Sequence, residues 1–457
     1  MGNLNSSLAI ALSGLAAEEG ALEATTNNVA NVNTPGYSRE VPVLATADPV
    51  VVDPLTLGSG VKLQTIESVR DPILESQIGQ ETQTQGQLSA LVAALSQAQT
   101  NFTSTTGDIG TAISNFFESV NQLSTSPSDL SLRQNVLMAA GDLASAFNTA
   151  ANNLTTQRTD LDQSVQQSVE QINQLTAQIA HLNTQISNVE NAGESAGTFI
   201  DQRTHLIDQL SSLIDVSAIP TDNTLTLTTA SGTPLVVGQT SFQLTTHLSS
   251  SGNQHIFSQG SDVTAAILSG KLGGILQARD LQIPAFQKQL DTLASGFADA
   301  VNQVQTAGYD LYGNPSAGNN LFNPPPSGSG AAASLSVAIT SPALIAASSD
   351  GNSGSNGNAE AMFALRSQGI ISGQNATDYY SGIVFNVGSA VSNANASQSA
   401  SNLVLQQLND QRSSISGVSL DEEAANMMRY QQAYAASAQV ISTLNTMMED
   451  IINMKNS

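Results

Sequence analysis

Apolar side chains open this chain in alternating steps of four and three: Leu4, Leu8, Ala11, Leu15, then Leu22, Val29 and Val32, with Glu18 and Thr25 in the two remaining places. That spacing is a heptad seam, and it predicts a helix over about 3–32 that packs along another helix. The helix should stop before Thr34-Pro35-Gly36, because Pro35 pushes Thr34 out of the helical region and Gly36 allows a turn. Asp71-Pro72 reads as a second start, a capping carboxylate followed by proline at the first helical position. Helical pattern then runs to about Asn191, with breaks near Gly107–Gly110 and Ser126-Pro127. Within it Leu154, Leu161, Val165, Ile172, Leu175, Ile179, Leu182, Ile186 and Val189 repeat the four/three step, with Arg158 and Ser168 at the other seam places. Phe199–Ile214 is one more amphipathic helix, and 376–456 reads as helix interrupted near Gly417. Its last part carries Val440, Ile441, Leu444, Met447, Met448, Ile451 and Ile452 on one wide face.

Between these helices the period changes. Arg39–Ile66 alternates short Val/Leu runs with Pro42, Pro49, Pro54, Gly58 and Gly60, as extended chain with turns does. Val216–Phe257 is dominated by β-branched and turn residues, as in Leu225-Thr226-Leu227-Thr228 and Leu235-Val236-Val237-Gly238, and predicts a small antiparallel insertion. Helix resumes over about 272–306, a loop-rich stretch covers 308–330, Ser334–Ile339 is a candidate strand, and Asp350–Asn358 a flexible connection. The expected units are 1–66 (N-terminal helix and the segment after it), 67–215 (first part of a helical bundle), 216–270 (β insertion), 271–400 (second part, with loops over 308–358) and 401–457 (C-terminal helix). Neither terminal helix has an obvious local partner, so the two are expected to pair with each other and with neighbouring copies. The fold class is mainly α: a long-helix bundle whose N- and C-terminal helices pair as a coiled coil, plus the small β domain.

Composition sharpens this picture. In 457 residues only 11% are charged and 4% aromatic, with no Trp. The polar surface is therefore mostly Ser, Thr, Asn and Gln, which suits a protein that packs against copies of itself with few charges to desolvate. Thirteen cationic side chains against 37 carboxylates give a net charge of −24, which repels nucleic-acid phosphates and anionic membranes. Absence of Cys excludes disulfides, thiolate zinc sites and Cys nucleophiles. No apolar run is long enough to span a bilayer, and the first cation, Arg39, comes too late for a secretory signal.

Candidate chemistry is sparse. His181, His205, His247 and His255 form no zinc-protease spacing. Asp350–Asn358 has oxygen donors at alternate places but lacks the sixth-position Gly and twelfth-position Glu of a calcium loop. Gly270-Lys271-Leu272-Gly273-Gly274 has its Lys at the wrong offset for a phosphate loop. Asp421-Glu422-Glu423 fits the favourable end of a helix dipole. No residue is assigned to catalysis, cofactor or metal.

The run Asn27-Asn28-Val29-Ala30-Asn31-Val32-Asn33-Thr34-Pro35-Gly36-Tyr37-Ser38-Arg39 resembles the N-terminal signature of flagellar axial proteins. At the other end Gly417-Val418-Ser419-Leu420-Asp421-Glu422-Glu423-Ala424-Ala425-Asn426, then Tyr430-Gln431-Gln432-Ala433-Tyr434, is similar to the closing helix of the hook-associated protein 1 family. Phe199–Leu213, Gly273–Asn302 and Ala307–Phe322 resemble it too, while the family's larger β region is reduced here to Val216–Phe257. The resemblance implies a non-enzymatic ring subunit between the flagellar hook and filament. It implies export by the flagellar type III apparatus from the cytoplasm to the cell exterior, guided by a cytoplasmic chaperone on the C-terminal region. The partners implied are copies of itself, the hook protein and a second hook-associated junction protein. Leu8, Leu15, Leu22 and Val29 are expected to meet Ile441, Leu444, Met448 and Ile452 along the axis, with Tyr434 on the same helix. The alternative within the class is another axial subunit, of hook or distal rod.

Overall fold

The computed structural model describes residues 2–52, 55–103, 108–221, 224–250, 252–326 and 328–456. Helix α1 (Gly2–Asn31) leads into a nested ribbon in which β1 (Glu40–Thr46) pairs antiparallel with β4 (Val61–Ser68), and β2 (Val50–Val52) with β3 (Leu55–Leu57). Three long helices follow, each opened by an aspartate that caps free backbone N–H groups. Asp71 accepts from Ile73 and Leu74 at the head of α2 (Pro72–Thr103). Asp108 accepts from Thr111 in α3 (Ile109–Thr125), and Asp129 from Ser131 and Leu132 in α4 (Leu130–Asn191). Of the break expected at Gly107–Gly110, Gly107 lies outside the described residues. Helix α5 (Gly197–Leu213) returns along α4.

The β region comprises two small antiparallel sheets. β5 (Ser217–Thr221), β6 (Thr224–Thr228), β7 (Pro234–Val237) and β8 (Thr240–Ser241) are neighbours in sequence order; β9 (Leu244–Leu248), β10 (Gln254–Ser258) and β11 (Ser261–Asp262) form the second sheet, with β10 in the middle. Helix α6 (Gly270–Gln277) passes through a π turn into α7 (Ile283–Ala307). The short α8 (Ala331–Ser334) and α9 (Gly357–Ala364) precede α10 (Ala376–Ser416) and α11 (Leu420–Asn456).

Helix α4 explains the long seam seen in the sequence. Its 62 residues serve two cores in succession rather than one coiled partner. The first half joins α2, α3, α7, α9 and α10 around Phe116, Phe117, Phe297 and Phe322, whose ring centroids lie 5.5–6.2 Å apart. In the second half, Val165, Ile172 and Ile179 pack under Leu227, Leu235, Val236, Leu244 and Ile256 of the two sheets, with Leu210 and Leu272 beside them.

Loops are fastened to this frame by amide side chains. Asn302 Oδ1 accepts from the N–H of Phe322 and its Nδ2 donates to the carbonyl of the same residue, both at 2.9 Å. Asn173 clasps Leu244 in the same way at 2.8 Å on both sides. Gln305 Nε2 donates to Leu344 O, and its Oε1 accepts from Ala346 N. One amide offers a donor and an acceptor with the spacing of a strand neighbour, so buried backbone is satisfied without charge.

Two expectations change. Ser334–Ile339 is no strand: α8 ends at Ser334, and one bridge, Val337 to Phe322, remains, made by Ala338 N to Leu321 O and Asn323 N to Ser336 O. Asp350–Asn358 is folded into turns, with Asn356 donating to Ser124 O and Asn358 to Ala346 O. As the sequence pattern predicts, helix runs from Ala376 and is interrupted at Gly417, where a β-carbon would collide with Ser413 O.

The terminal helices α1 and α11 pair antiparallel: Leu4 borders Met448, Ile451 and Ile452, whereas Gly14 faces Ser437. Leu8, Leu15, Leu22 and Val29 are only half-buried; full burial is reserved for Ala17, Ala21, Ala24 and Asn28, a stripe of small side chains, together with Ala11 and Thr25. The ribbon lies across α1 at Gly20, where any β-carbon would press into Leu63. Two layers, one helix and one ribbon, cover the small residues fully and the leucines in part.

Candidate functional site

The signature residues gather where α1, the ribbon, α5 and the α10–α11 corner meet. Buried Asn28 is the hub. Its Nδ2 donates to Glu40 O (2.8 Å), and its Oδ1 accepts from Glu40 N (2.8 Å) and from the Tyr37 hydroxyl (2.9 Å). Asn28 thus ties the end of α1 to the first residue of β1 by the same clasp that fastens loops elsewhere. Asn27 Nδ2 donates to the Glu40 carboxylate, Asn31 Nδ2 to Asn27 Oδ1, and Thr34 Oγ1 to Asn31 Oδ1. The chain reverses through Thr34 N to Asn31 O and Tyr37 N to Thr34 O, with Gly36 at φ +79°, a conformation that glycine adopts without strain. Burial, then the carboxylates of Glu40, Asp201 and Glu423, pushes the Tyr37 phenol up, so it stays protonated and donating.

The neighbouring residues carry the longest ties. Asp201 of α5, 8% exposed, accepts from Ser38 N (3.0 Å), Ser38 Oγ (2.9 Å) and Arg70 Nη2 (2.6 Å), while Arg70 also donates to Gly197 O. Arg39 N donates to Ser416 O at the end of α10, its carbonyl accepts from Val69 N, and its guanidinium pairs with Glu422 of α11 at 2.8 Å. Behind this layer Arg412 of α10 stands 3.7 Å from both Glu75 of α2 and Asp208 of α5. Burial, reinforced by Glu75 and opposed by Arg412, pushes the Asp208 carboxyl up to about 6. Burial also raises Glu75, against the pull of Arg412 and Arg70. These contacts tie the end of α1 and the ribbon to α5, α10 and α11.

The other residues singled out from the sequence divide. Ala30, Thr34 and Pro35 lie on the outside of the turn. On α11, Glu423 is buried and Asn426, Tyr430 and Ala433 are half-buried, whereas Leu420, Asp421, Gln431 and Tyr434 are exposed. Ile441, Leu444 and Met448 sit half-buried on one helical face, in line with Ala433 and Ser437, while Ile452 is 55% exposed beside Leu4. Sequence reasoning did not single out Arg70 or Asp201. The available signal was scarcity: the chain has only 13 cationic side chains, and Arg70 stands beside the Asp71-Pro72 helix start. Among the described residues, no three His, Asp or Glu side chains are arranged so that all three could hold one metal ion.

Three family descriptions match the chain: "Flagellar hook-associated protein FlgK helical domain" over 95–322, "Flagellar basal body rod FlgEFG protein C-terminal" over 410–454, and "Flagella basal body rod protein" over 8–37. The chain is 27% identical to the flagellar hook-associated protein 1 of Escherichia coli K12, covering 97% of this chain and 99% of that protein. It is 28% identical to the protein of the same name from Bacillus subtilis 168, covering 96% of each. A solved structure of the flagellar hook junction protein FlgK from Burkholderia pseudomallei has the same fold, with a TM-score of 0.67 at 19% identity over 74% of this chain and all of that one. The chain belongs to the flagellar hook-associated protein 1 family.

Proposed function

We propose that this protein is a structural subunit of the bacterial flagellum at the junction of hook and filament, acting through assembly and not through catalysis. The observation that carries the reading is the antiparallel α1–α11 pair, whose leucines are half-covered and whose outer face carries Met428, Val440 and Met447, each about half exposed. Apolar surface left open along a helix pair is what neighbouring helices cover in a tube wall. On this reading Leu8, Leu15, Leu22, Val29, Ile441, Leu444, Met448 and Ile452 meet helices of adjacent copies, and the copies close a ring on the distal end of the hook. The hook protein lies on one side and a second hook-associated protein on the other. The Asn27–Arg39 junction fixes the angle at which the pair leaves the body. The units 1–66 and 401–457 then form the axial layer, with 67–215 and 271–400 outside it and 216–270 outermost. The subunit acts outside the cell, after export through the flagellar type III apparatus with a cytoplasmic chaperone on its C-terminal region.

Deleting the gene tests this. Cells with hooks but no filaments, shedding flagellin into the medium, support it; cells with normal filaments overturn it. Loss of the hooks as well would place the subunit in the hook or rod instead.

A further inference from the structure

Two of the four histidines of this chain, distant from the assembly junction, stand opposite each other. His247 of β9 and His255 of β10 are register partners in the antiparallel sheet, so both side chains project from one face, with β-carbons about 5 Å apart. On the third strand Asp262 is the register partner of Phe257, which places it on that same face, and its Oδ2 lies 2.6 Å from His255 Nδ1. All three side chains are open to solvent at least in part.

We propose that His247 and His255 form a two-ligand site for a divalent transition metal such as Zn²⁺ or Ni²⁺, with Asp262 as the positioning residue for His255. A carboxylate that accepts from Nδ1–H fixes the tautomer whose free Nε2 binds metal, the arrangement found behind most metal-ligating imidazoles. His247 now rests edge-on to the Phe257 ring, centroids 5.2 Å apart, with Nε2 3.4 Å from the Thr245 hydroxyl. An exposed side chain held by contacts this weak turns freely enough to meet a metal on His255. Two protein ligands leave the remaining tetrahedral positions to water or to a donor from another copy, so affinity falls short of a closed structural site. With no Cys in the chain, no thiolate competes for the ion. Binding would clamp the β9–β10 hairpin.

The test is isothermal titration of the full chain with ZnCl₂ and with NiCl₂, alongside NMR of the imidazole resonances. Expected are one equivalent bound, shifts confined to His247 and His255, a loss of at least about tenfold in H247A and in H255A, and about tenfold in D262N. The double variant H181A/H205A should bind as the parent does. All these residues are on the surface, and circular dichroism checks that each variant folds. The proposal is overturned if the parent binds no more tightly than H247A/H255A, or if H181A/H205A abolishes binding. An unchanged affinity in D262N overturns the role of Asp262.

Discussion

The body and the terminal pair are both helical, yet they use apolar surface in opposite ways. In the body Phe116, Phe117, Phe297 and Phe322 are fully buried among the long helices and the 321–347 segment, and each touches at least two of the others. In the α1–α11 pair the leucines stay half-covered and the buried places go to alanines. A body residue therefore finds all its partners within its own chain. A residue of the pair has one wall missing, and isolated helices gain little stability without tertiary cover. The difference teaches where folding ends and assembly begins along one polypeptide.

The sharpest way to break that comparison is to truncate one large residue from each region. Phe297→Ala should cost about 3–5 kcal/mol, as emptied aromatic sites in close-packed cores do. Leu15→Ala in α1 should cost about 1 kcal/mol or less in the monomer, because its side chain is only partly buried in the single chain. Urea unfolding followed by circular dichroism measures both. If Leu15→Ala destabilises the monomer as much as Phe297→Ala, the pair is part of the body. In cells the order should reverse, with Leu15→Ala impairing filament attachment in an otherwise stable protein.

Next in size is the tie between the regions. Asp201→Ala leaves Arg70 and two donors of Ser38 without their acceptor in a site where Asp201 is 8% exposed. Breaking such a pair costs about 3 kcal/mol. The loss should appear as faster amide exchange in α1 and the ribbon, with the core around Phe116 unchanged. Equal loss of protection in both would mean that the junction holds up the body as well.

How much of this could be read beforehand follows from how local each interaction is. The stripe of α1, the stop at Thr34-Pro35-Gly36, the caps Asp71 and the break at Gly417 depend on neighbours a few residues away, and all were legible. The seam of α4 was legible as a stripe but not as a division between two cores, since periodicity says which face is apolar and not what covers it. The Asn28 clasp was half legible: an Asn-rich helix end announces capping, but Glu40 as its partner requires the hairpin. Arg70 with Asp201, 131 residues apart, and Arg412 with Glu75 and Asp208 leave no local pattern at all. The burial of alanines in place of leucines in α1 was likewise hidden, because it depends on a ribbon that read only as extended chain.

A smaller effect tests the second charged layer by pH. The native Asp208 carboxyl titrates at about 6, raised by burial, while the unfolded chain has the ordinary value of 3.8. The native state binds this proton more tightly, so its contribution to stability is complete below about pH 4 and is lost as pH rises through 6. Asp208→Asn has no proton to lose. The parent should therefore weaken relative to Asp208→Asn by about 2 kcal/mol between pH 4 and 7, read from paired thermal melts. A constant difference across that range would show that Arg412 fully offsets the burial.

The smallest effect is expected at a residue that the sequence marks most strongly. Arg39 closes the signature, and its guanidinium reaches Glu422 at 2.8 Å, but the Glu422 side chain is 63% exposed. An exposed pair contributes about 0–1 kcal/mol, reduced further by salt. What holds residue 39 is its backbone, whose N–H donates to Ser416 O and whose carbonyl accepts from Val69 N. Arg39→Ala keeps both bonds and should shift the melting temperature by no more than about 2 °C. Arg39→Pro removes the N–H that bridges to α10 and should release α1 and the ribbon much as Asp201→Ala does. If the alanine variant proved as damaging as the proline one, the guanidinium would carry the junction, and the separation drawn between a self-sufficient body and a pair hung on backbone ties would fail at its nearest point of contact.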